Sequence, residues 1–394
     1  MSTPASSDAT EGRAGPAAPI AQGVPAAASA TESDNGTAAR VGAWVVLLGT
    51  AVTLVGLSWD IQWHNDVGPD TFFTLPHLFL YSGSAISGFA SLAMVLITTS
   101  AQRAGRPVPR MGGTPIRVFG SNLTAPIGYM IAGAGAALFL LYGLLDLEWH
   151  SIYGFDAVLN TPSHVALFLS ITLTMIGSII VFAAHRDHFW GRSGIVLAIP
   201  ILITFAPIPT NALNNLHLPA DPTILGIVLF GPMLLILGGA LLARLGATIA
   251  IAAALGAMQA ILWWFSPWAA ETYASAIGLP LRDGLTSRPP ELPAIMPMFL
   301  IVAAVAVEGL FWLVRARGFD AKKIVLVAGV VTGVIVGATF PLQMNLTHAM
   351  PHIAFRDIMT ITILGVPLGL LAGFLGSRFA TMLPVFAPAT TAVR

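Results

Sequence analysis

The chain has 394 residues, of which 56% are hydrophobic and only 9% are charged, and its formal net charge is zero. Soluble domains carry about 25% charged residues, so this composition indicates a polytopic membrane protein. No block of Lys and Arg points to nucleic acid as a partner. The absence of cysteine excludes disulfides and thiolate metal sites, so any metal must be held by His, Asp, Glu, Asn or Met.

Residues 1–40 are rich in Ala, Ser, Thr, Pro and Gly and contain no apolar core like that of a signal peptide. This composition predicts a disordered cytoplasmic tail. Apolar segments of about 20 residues, the length that crosses a bilayer, follow it. We predict ten, near residues 43–63, 75–99, 124–148, 162–184, 194–213, 222–243, 245–266, 293–315, 323–343 and 355–377. The count depends on a turn at Arg244, and residues 386–394 are predicted to form a second cytoplasmic tail.

The basic residues predict the orientation of these spans. With an even number of spans, 15 of the 18 Lys and Arg residues fall on the side of the two termini, and only Arg282, Arg288 and Arg356 fall opposite. Loops rich in Lys and Arg stay in the cytoplasm, so both termini are predicted to be cytoplasmic. The predicted fold is an all-α transmembrane bundle of five hairpins in the cell membrane, which open to the periplasmic or extracellular side.

The first two hairpins, within residues 41–184, carry a repeated polar motif at their outer ends; residues 185–385 form the further hairpins. The motif is Asp-x3-His followed by a second His, and its two copies are Asp60, His64 and His77, then Asp146, His150 and His164. The offset is 86 residues for the Asp and the first His and 87 for the second His, which indicates a duplicated hairpin.

Each copy has the chemistry of a metal site. Residues four apart share one helix face, so the Asp and the first His can address one point, and the second His arrives from the next helix. A carboxylate with two imidazoles suits a divalent transition metal. The alternative is an interfacial Asp paired with a protonated His, beside an aromatic belt of Trp59, Trp63 and Trp149.

The second copy also resembles a known metal site. Residues 146–150 (Asp-Leu-Glu-Trp-His) and 161–164 (Thr-Pro-Ser-His) resemble the metal motif of the C subunit of copper membrane monooxygenases, the particulate methane and ammonia monooxygenase family. The family motif is Asp-x3-His-x12-His; the first copy has this spacing and the second has one more residue. The resemblance implies copper at both copies on the periplasmic side, monooxygenase-type partner subunits, and hydroxylation of a small apolar substrate or ammonia by dioxygen.

Further donor groups occur in later hairpins. Members of that family carry a second copper site of Asn and two His, whereas this chain offers Asn211, Asn214 and His217 without a second His. Thioether and imidazole groups of the fifth hairpin also suit Cu(I); they belong to Met344, His348, Met350 and His352. The alternative for this hairpin is a space-filling Met and two His on an exposed loop.

Glu308 lies inside the eighth span, where an ionisable side chain is a candidate functional group or a protonated acid hydrogen-bonded to a neighbour. Three functions therefore stay open. The first is a copper-dependent relative of the monooxygenase subunit. The second is a copper uptake, delivery or assembly protein served by a periplasmic copper donor. The third is an ion-coupled transporter that uses Glu308 and outer Asp residues without a metal.

Overall fold

The protein is described here by a computed structural model that covers residues 26–68, 71–108, 111–154, 160–282 and 289–383. Ten spans in the described residues are long and apolar enough to cross a membrane, which confirms the predicted helical membrane fold. The helices are α1 (Ala26–Asp66), α2 (Leu75–Arg103), α3 (Ile127–Tyr153), α4 (Pro162–Ala183), α5 (Phe189–Phe205), α6 (Pro222–Leu242), α7 (Ala247–Ile277), α8 (Glu291–Ile295), α9 (Leu300–Arg317), α10 (Ala321–Thr347) and α11 (Phe355–Met382).

Several predicted boundaries differ from the observed ones, among them the starts of the first and third spans. Helix α1 begins at Ala26, so residues 26–40 of the predicted tail belong to α1, while residues 1–25 and 384–394 lie outside the described residues. The third span begins only at Ile127, because β1 (Pro115–Val118) and β2 (Leu123–Pro126) pair antiparallel just before it. Proline lacks a backbone N–H and favours an extended residue before it, so Pro126 suits the end of a strand.

The turn on which the helix count depends is present. Ala243 and Gly246 both have a left-handed backbone, with φ of 50° and 81°, and they separate α6 from α7. The Ala243 N–H donates to the Gly239 carbonyl at 2.9 Å, which closes α6. The sixth and seventh spans are therefore separate helices, and Arg244 lies in the turn between them.

The repeat of the first two hairpins extends to their helix packing. Helix α1 packs along α2, and α3 packs along α4. A Cβ atom at Gly49 of α1 would lie 2.8 Å from the Ser87 backbone nitrogen, and one at Gly135 of α3 would lie 2.5 Å from that of Thr174. Gly135 is 86 residues after Gly49 and Thr174 is 87 after Ser87, the same offsets as the polar motif. The two hairpins are thus built alike along their length.

Glycines also join α10 to α11. Each helix carries three glycines at four-residue spacing, and the two rows face each other so closely that a Cβ atom on either would collide with the opposing backbone. The rows are Gly329, Gly333 and Gly337 on α10, and Gly365, Gly369 and Gly373 on α11. Small residues at this spacing are the usual way for membrane helices to approach closely.

The eighth span is interrupted between α8 and α9. Two glutamine side chains form hydrogen bonds with the backbone groups that have no helical partner there. Gln259 of α7 donates to the Met296 carbonyl at 2.9 Å. Gln343 of α10 donates to the Ala294 and Met296 carbonyls at 2.7 and 2.8 Å. The Met298 N–H donates to Gln343 Oε1 at 2.7 Å. Irregular backbone at membrane depth requires such partners, so these amides stabilise the break.

Candidate metal centre

Helix ends place the repeated polar groups. Asp60 and His64 lie on the last turns of α1, and Asp146 and His150 lie on the last turns of α3. The second His of each copy lies in the first turn of the following helix, after a proline at its start. Thr161 accepts a hydrogen bond from the backbone N–H of His164 at 3.3 Å, so it caps α4 as its position before a proline predicts.

Two tryptophans next to Asp60 and His64 pack α1 against α7. Trp63 is only 1% exposed and packs on Tyr273 of α7, with ring centroids 4.9 Å apart. Trp59 packs edge-on against Phe265 and Tyr273 of the same helix. These two tryptophans are therefore buried between helices, which turns Asp60 and His64 away from α7.

In the first Asp-His-His group, both imidazoles approach one carboxylate oxygen. His77 Nε2 lies 3.1 Å from Asp60 Oδ1, and His64 Nε2 lies 3.8 Å from the same atom. The centroids of the two imidazole rings are 6.4 Å apart. One ligand atom from each of the three residues can be chosen so that all lie within 4.8 Å of one another.

The second group repeats this arrangement. His164 Nε2 lies 3.5 Å from Asp146 Oδ1, and His150 Nε2 lies 3.5 Å from Asp146 Oδ2. The two ring centroids are 5.7 Å apart, and the ligand atoms again fall within 4.8 Å of one another. Among the described residues, only these two sets bring three or more His, Asp or Glu groups together in this way.

These separations fit a metal ion. Two ligand atoms that each lie about 2.1 Å from one ion are roughly 3.0 to 4.2 Å apart, depending on the angle between them. The carboxylate–imidazole distances of 3.1 to 3.8 Å lie within that range. Asp60 Oδ1 and Asp146 Oδ1 are buried, and the Asp146 carboxylate also has the Ser163 side chain next to it, so each group presents a buried carboxylate oxygen that can accept from a proton or a cation.

Backbone carbonyls orient one imidazole in each group. His77 Nδ1 lies 3.0 Å from the Thr71 carbonyl, and His150 Nδ1 lies 3.2 Å from the Gly154 carbonyl. A carbonyl only accepts, so each Nδ1 carries the proton, and in a neutral ring Nε2 then directs a lone pair at the carboxylate. Two acceptors that face each other need a cation between them, either a metal or a second proton on the imidazole. Outer carbonyl contacts of this kind are typical of metal-bound His.

Both groups line a single cavity of about 630 Å³. Its apolar lining comes from α1 to α4 and includes Leu57, Leu80, Phe139, Leu167, Phe168 and Ile171. Tyr81 lines the cavity next to the first group: its ring centroid is 6.0 Å from that of His77 and 6.2 Å from that of Phe139 of α3. The sequence repeat predicted two sites but carried no sign that they share a cavity, because that depends on how α2 packs against α3.

Polar residues other than the two Asp-His-His groups complete the cavity. Asn65, Arg282 and Glu291 all line it, and the Asn65 amide donates to Glu291 of α8. The Arg282 N–H donates to the Asp66 carbonyl at 2.8 Å, which ties the segment after α7 to the end of α1. The repeat did not predict these three residues as part of the site; the signal in the sequence was that Arg282 and Glu291 are charged residues of the predicted outer side.

The candidate metal donors of the fifth hairpin differ in how deeply they are buried. Met344 is fully buried in the hydrophobic core, whereas His348 and His352 are exposed and Met350 is half-buried against the core. The loop is closed by Asn345, whose amide donates to the Ile353 carbonyl at 2.9 Å and accepts from the Ile353 N–H at 2.8 Å. Its conformation is thus explained by its own backbone contacts.

Residues Asn211 and Asn214 lie at a short 3-10 helix (Ile208–Leu213) that follows α5. The Asn214 amide donates to Asn211 Oδ1, and His217 is exposed in the loop beyond. Of the three candidate donors of the third hairpin, the two asparagines are thus hydrogen-bonded to each other, and His217 lies in the exposed loop that follows.

Glu308 is buried and bonded to the start of α7. Its Oε1 accepts from the Thr248 N–H at 2.9 Å and from the Thr248 hydroxyl at 2.8 Å. Arg315 Nη2 lies 3.9 Å from Oε2. The N-terminal N–H groups of a helix have no partner within the helix, so Glu308 acts as a cap supplied by a neighbouring helix. Glu308 is therefore hydrogen-bonded to a neighbour, as one of the two sequence interpretations predicts, with its Oε1 as the acceptor.

Comparison of the chain with protein-family models, with curated proteins and with solved structures finds no match. The resemblance to the monooxygenase subunit therefore rests on the residues of the motif alone.

Proposed function

We propose that the protein is an integral membrane metalloprotein that holds two metal ions in one cavity and uses dioxygen to hydroxylate an apolar substrate. The observation that carries the proposal is the position of two Asp-His-His groups on the wall of one cavity with an apolar lining. A three-ligand site leaves coordination positions open, as catalytic metal sites do. Two purely structural sites would have no need of a common cavity.

Copper is the metal we propose. A set of two His and one carboxylate also suits Zn(II) and non-haem Fe(II), so the ligands alone do not decide. The general affinity order places Cu(II) above both, and the resemblance of residues 146–150 and 161–164 to the copper monooxygenase motif favours the same metal.

The protein side chains have separate roles in this proposal. Bound copper would supply the redox chemistry with dioxygen. One oxygen atom enters a C–H bond of the substrate and the other leaves as water, with two electrons and two protons from an organic donor such as a quinol. The apolar wall binds the substrate and excludes water, and Thr71 and Gly154 orient the imidazoles through their carbonyls. A cavity of 630 Å³ fits a molecule of many carbon atoms, much larger than ammonia.

The copper-delivery alternative is less well supported. A relay needs donor groups in sequence along a path, and Met344 is buried in the core while His348 and His352 are exposed. The ion-coupled alternative is less well supported at Glu308, because its Oε1 accepts two hydrogen bonds from Thr248. Both remain outcomes of the experiment below.

The test is oxygen transfer by copper-loaded protein. Purified protein in lipid nanodiscs is given ascorbate as electron donor, ¹⁸O₂, and toluene, octane or ammonia as probe. We expect one ¹⁸O atom in the hydroxylated toluene or octane, and at least a tenfold lower yield with His150→Ala. His217→Ala, an exposed His outside the cavity, is the matched control and should keep the wild-type yield.

Other outcomes separate the alternatives. Bound copper that forms no labelled product but passes completely to a soluble Cu(I) chelator would identify a delivery protein. Protein that binds no metal, yet acidifies or alkalises vesicles with a dependence on Glu308, would identify an ion-coupled transporter. Either result would overturn the monooxygenase proposal.

We further propose that the metal groups face the periplasmic or extracellular side of the cell membrane. The asymmetry in basic residues supports this orientation, since the order of predicted spans assigns 15 of the 18 Lys and Arg residues in the sequence to the side of the two termini.

A further inference from the structure

A second cavity, of about 380 Å³, lies at the opposite end of the bundle from both metal groups. Helix α4 begins next to one metal group and ends at Ala183, so its 22 residues span about 33 Å between that group and this cavity. The cavity is lined by Arg186, Arg192 and Arg244, by Asp187, and by the end of α6 at residues 240–243. We name it the arginine cavity.

The arginines of this cavity lack carboxylate partners. Among the described residues, no Asp or Glu oxygen lies within 4.0 Å of a guanidinium nitrogen of Arg186, Arg192 or Arg244. Nη1 of Arg186 is buried and makes no hydrogen bond within the described part of the chain. A buried donor without an acceptor costs about 1–3 kcal/mol, and more when it is charged, so a ligand that accepts from this group would remove that cost.

The loop that carries these residues is held by its own backbone. Arg192 Nη1 donates to the Asp187 carbonyl at 2.8 Å and contacts the Arg186 carbonyl at 3.4 Å. This clamp fixes the turn between α4 and α5, and with it the position from which the Arg186 side chain extends. The backbone of this loop is therefore fixed without a ligand, which lowers the cost of binding.

We propose that the arginine cavity binds a phosphate group, and that its source is the headgroup of an anionic phospholipid. Three arginines against one Asp leave excess positive charge, and planar guanidinium groups match the paired oxygens of a phosphate. Phe189 and Leu245 are 78% and 71% exposed and lie next in sequence to the cavity loops, where acyl chains would cover them. The site is also at the basic end of the chain, and such pockets between membrane helices bind anionic headgroups.

The test compares two lipids with identical acyl chains. The full chain in detergent is incubated with dioleoyl phosphatidylglycerol or dioleoyl phosphatidylcholine, and bound lipid is counted by native mass spectrometry. We expect tighter binding of the anionic lipid to wild type and a loss of roughly thirtyfold in the double variant Arg186→Gln/Arg244→Gln, because each arginine contributes about fivefold. Arg317→Gln, an exposed arginine at the same end of the bundle, is the control and should bind like wild type.

Inorganic phosphate tests the other source of the same chemistry. If millimolar phosphate alone raises the thermal unfolding midpoint of wild type but not of the double variant, and the two lipids bind equally, the phosphate group is correct and its source is soluble. If the double variant does not fold, Arg244→Gln alone should lose about fivefold, since Arg244 is exposed. Equal binding of the anionic lipid by the cavity variants and Arg317→Gln would overturn the proposal.

Discussion

At the scale of single residues, the two metal groups depend on which nitrogen of each imidazole faces the carboxylate. Asp60 and Asp146 direct oxygen atoms at Nε2 of their histidines, while backbone carbonyls contact Nδ1 of His77 and His150. The spacing of Asp-x3-His predicted the shared helix face, and both pairs confirm it. The carbonyl contacts could not be predicted, because they depend on the loop conformation before α2 and on the end of α3.

The carboxylate of the second group gives a prediction about oxidation state. In Asp146→Asn a neutral amide replaces the negative charge next to the metal, so the affinity for Cu(II) should fall roughly tenfold more than that for Cu(I). Competition titrations with chelators specific for each oxidation state measure both affinities. Asp357→Asn, at an exposed carboxylate outside the cavity, should change neither. An equal loss for both oxidation states would mean that Asp146 does not ligate the metal.

At the scale of helices, glycines allow α10 and α11 to pack closely. Glutamine side-chain amides form hydrogen bonds with the backbone groups that the break between α8 and α9 leaves without helical partners. The ten apolar segments could be predicted from length and hydropathy, but the separation of α6 from α7 stayed open until the structure showed the left-handed turn at Ala243 and Gly246. The break between α8 and α9 could not, because Pro297 alone does not show that Gln259 and Gln343 satisfy the freed carbonyls. The glycine rows of α10 and α11 were visible in the sequence as a four-residue spacing, but only the structure shows that they face each other.

The glycine contact between α10 and α11 predicts a strong effect of one substitution. A side chain at Gly333 would collide with the backbone of Gly365 and Gly369, so Gly333→Leu should lower the unfolding free energy by about 1–3 kcal/mol. Thermal unfolding followed by circular dichroism in detergent measures the loss. Gly256→Leu, at a glycine with open space around its Cβ position, is the matched control. Equal stability of the two variants would show that α10 and α11 do not pack through these glycines.

The cap on α7 predicts that Glu308 tolerates an amide but not an apolar group. Glu308→Gln keeps an oxygen that accepts from Thr248, whereas Glu308→Leu leaves the Thr248 N–H and hydroxyl without that partner, at a cost of about 1–3 kcal/mol. Chemical denaturation of the two variants side by side gives the difference. If Glu308→Gln were as destabilising as Glu308→Leu, the negative charge and its contact with Arg315 would matter more than the cap.

At the scale of the whole molecule, the two ends of the bundle differ in chemistry. One end carries the metal groups and their cavity, and the other carries the arginine cavity and most of the basic residues that the structure describes. The sequence predicted this polarity from charge, because Lys and Arg are readily counted in loops. It could not predict either cavity, since each is formed by helices that are distant in the chain.

This polarity predicts the topology in the membrane. A reporter fused before α1 and one inserted near Arg106 should both report cytoplasm, whereas one inserted at His217 should report the outer side. Paired reporters, one active only inside the cell and one only outside, give the assignment for each position. If the reporters before α1 and near Arg106 were on opposite sides of the membrane, α1 and α2 would not both cross it. That result would contradict both the ten predicted spans and the periplasmic position of the metal groups.

The most direct test of the account is the metal content of the purified protein. Mass spectrometric elemental analysis of wild type should give two copper ions per chain, and His64→Ala and His150→Ala should each lose one, while His217→Ala keeps both. Electron paramagnetic resonance of the oxidised wild type should show Cu(II) with nitrogen couplings and broadening from a neighbouring spin, which disappears in either single-site variant. Stoichiometric zinc or iron in the isolated wild type, with copper bound no better by wild type than by His150→Ala, would contradict the account.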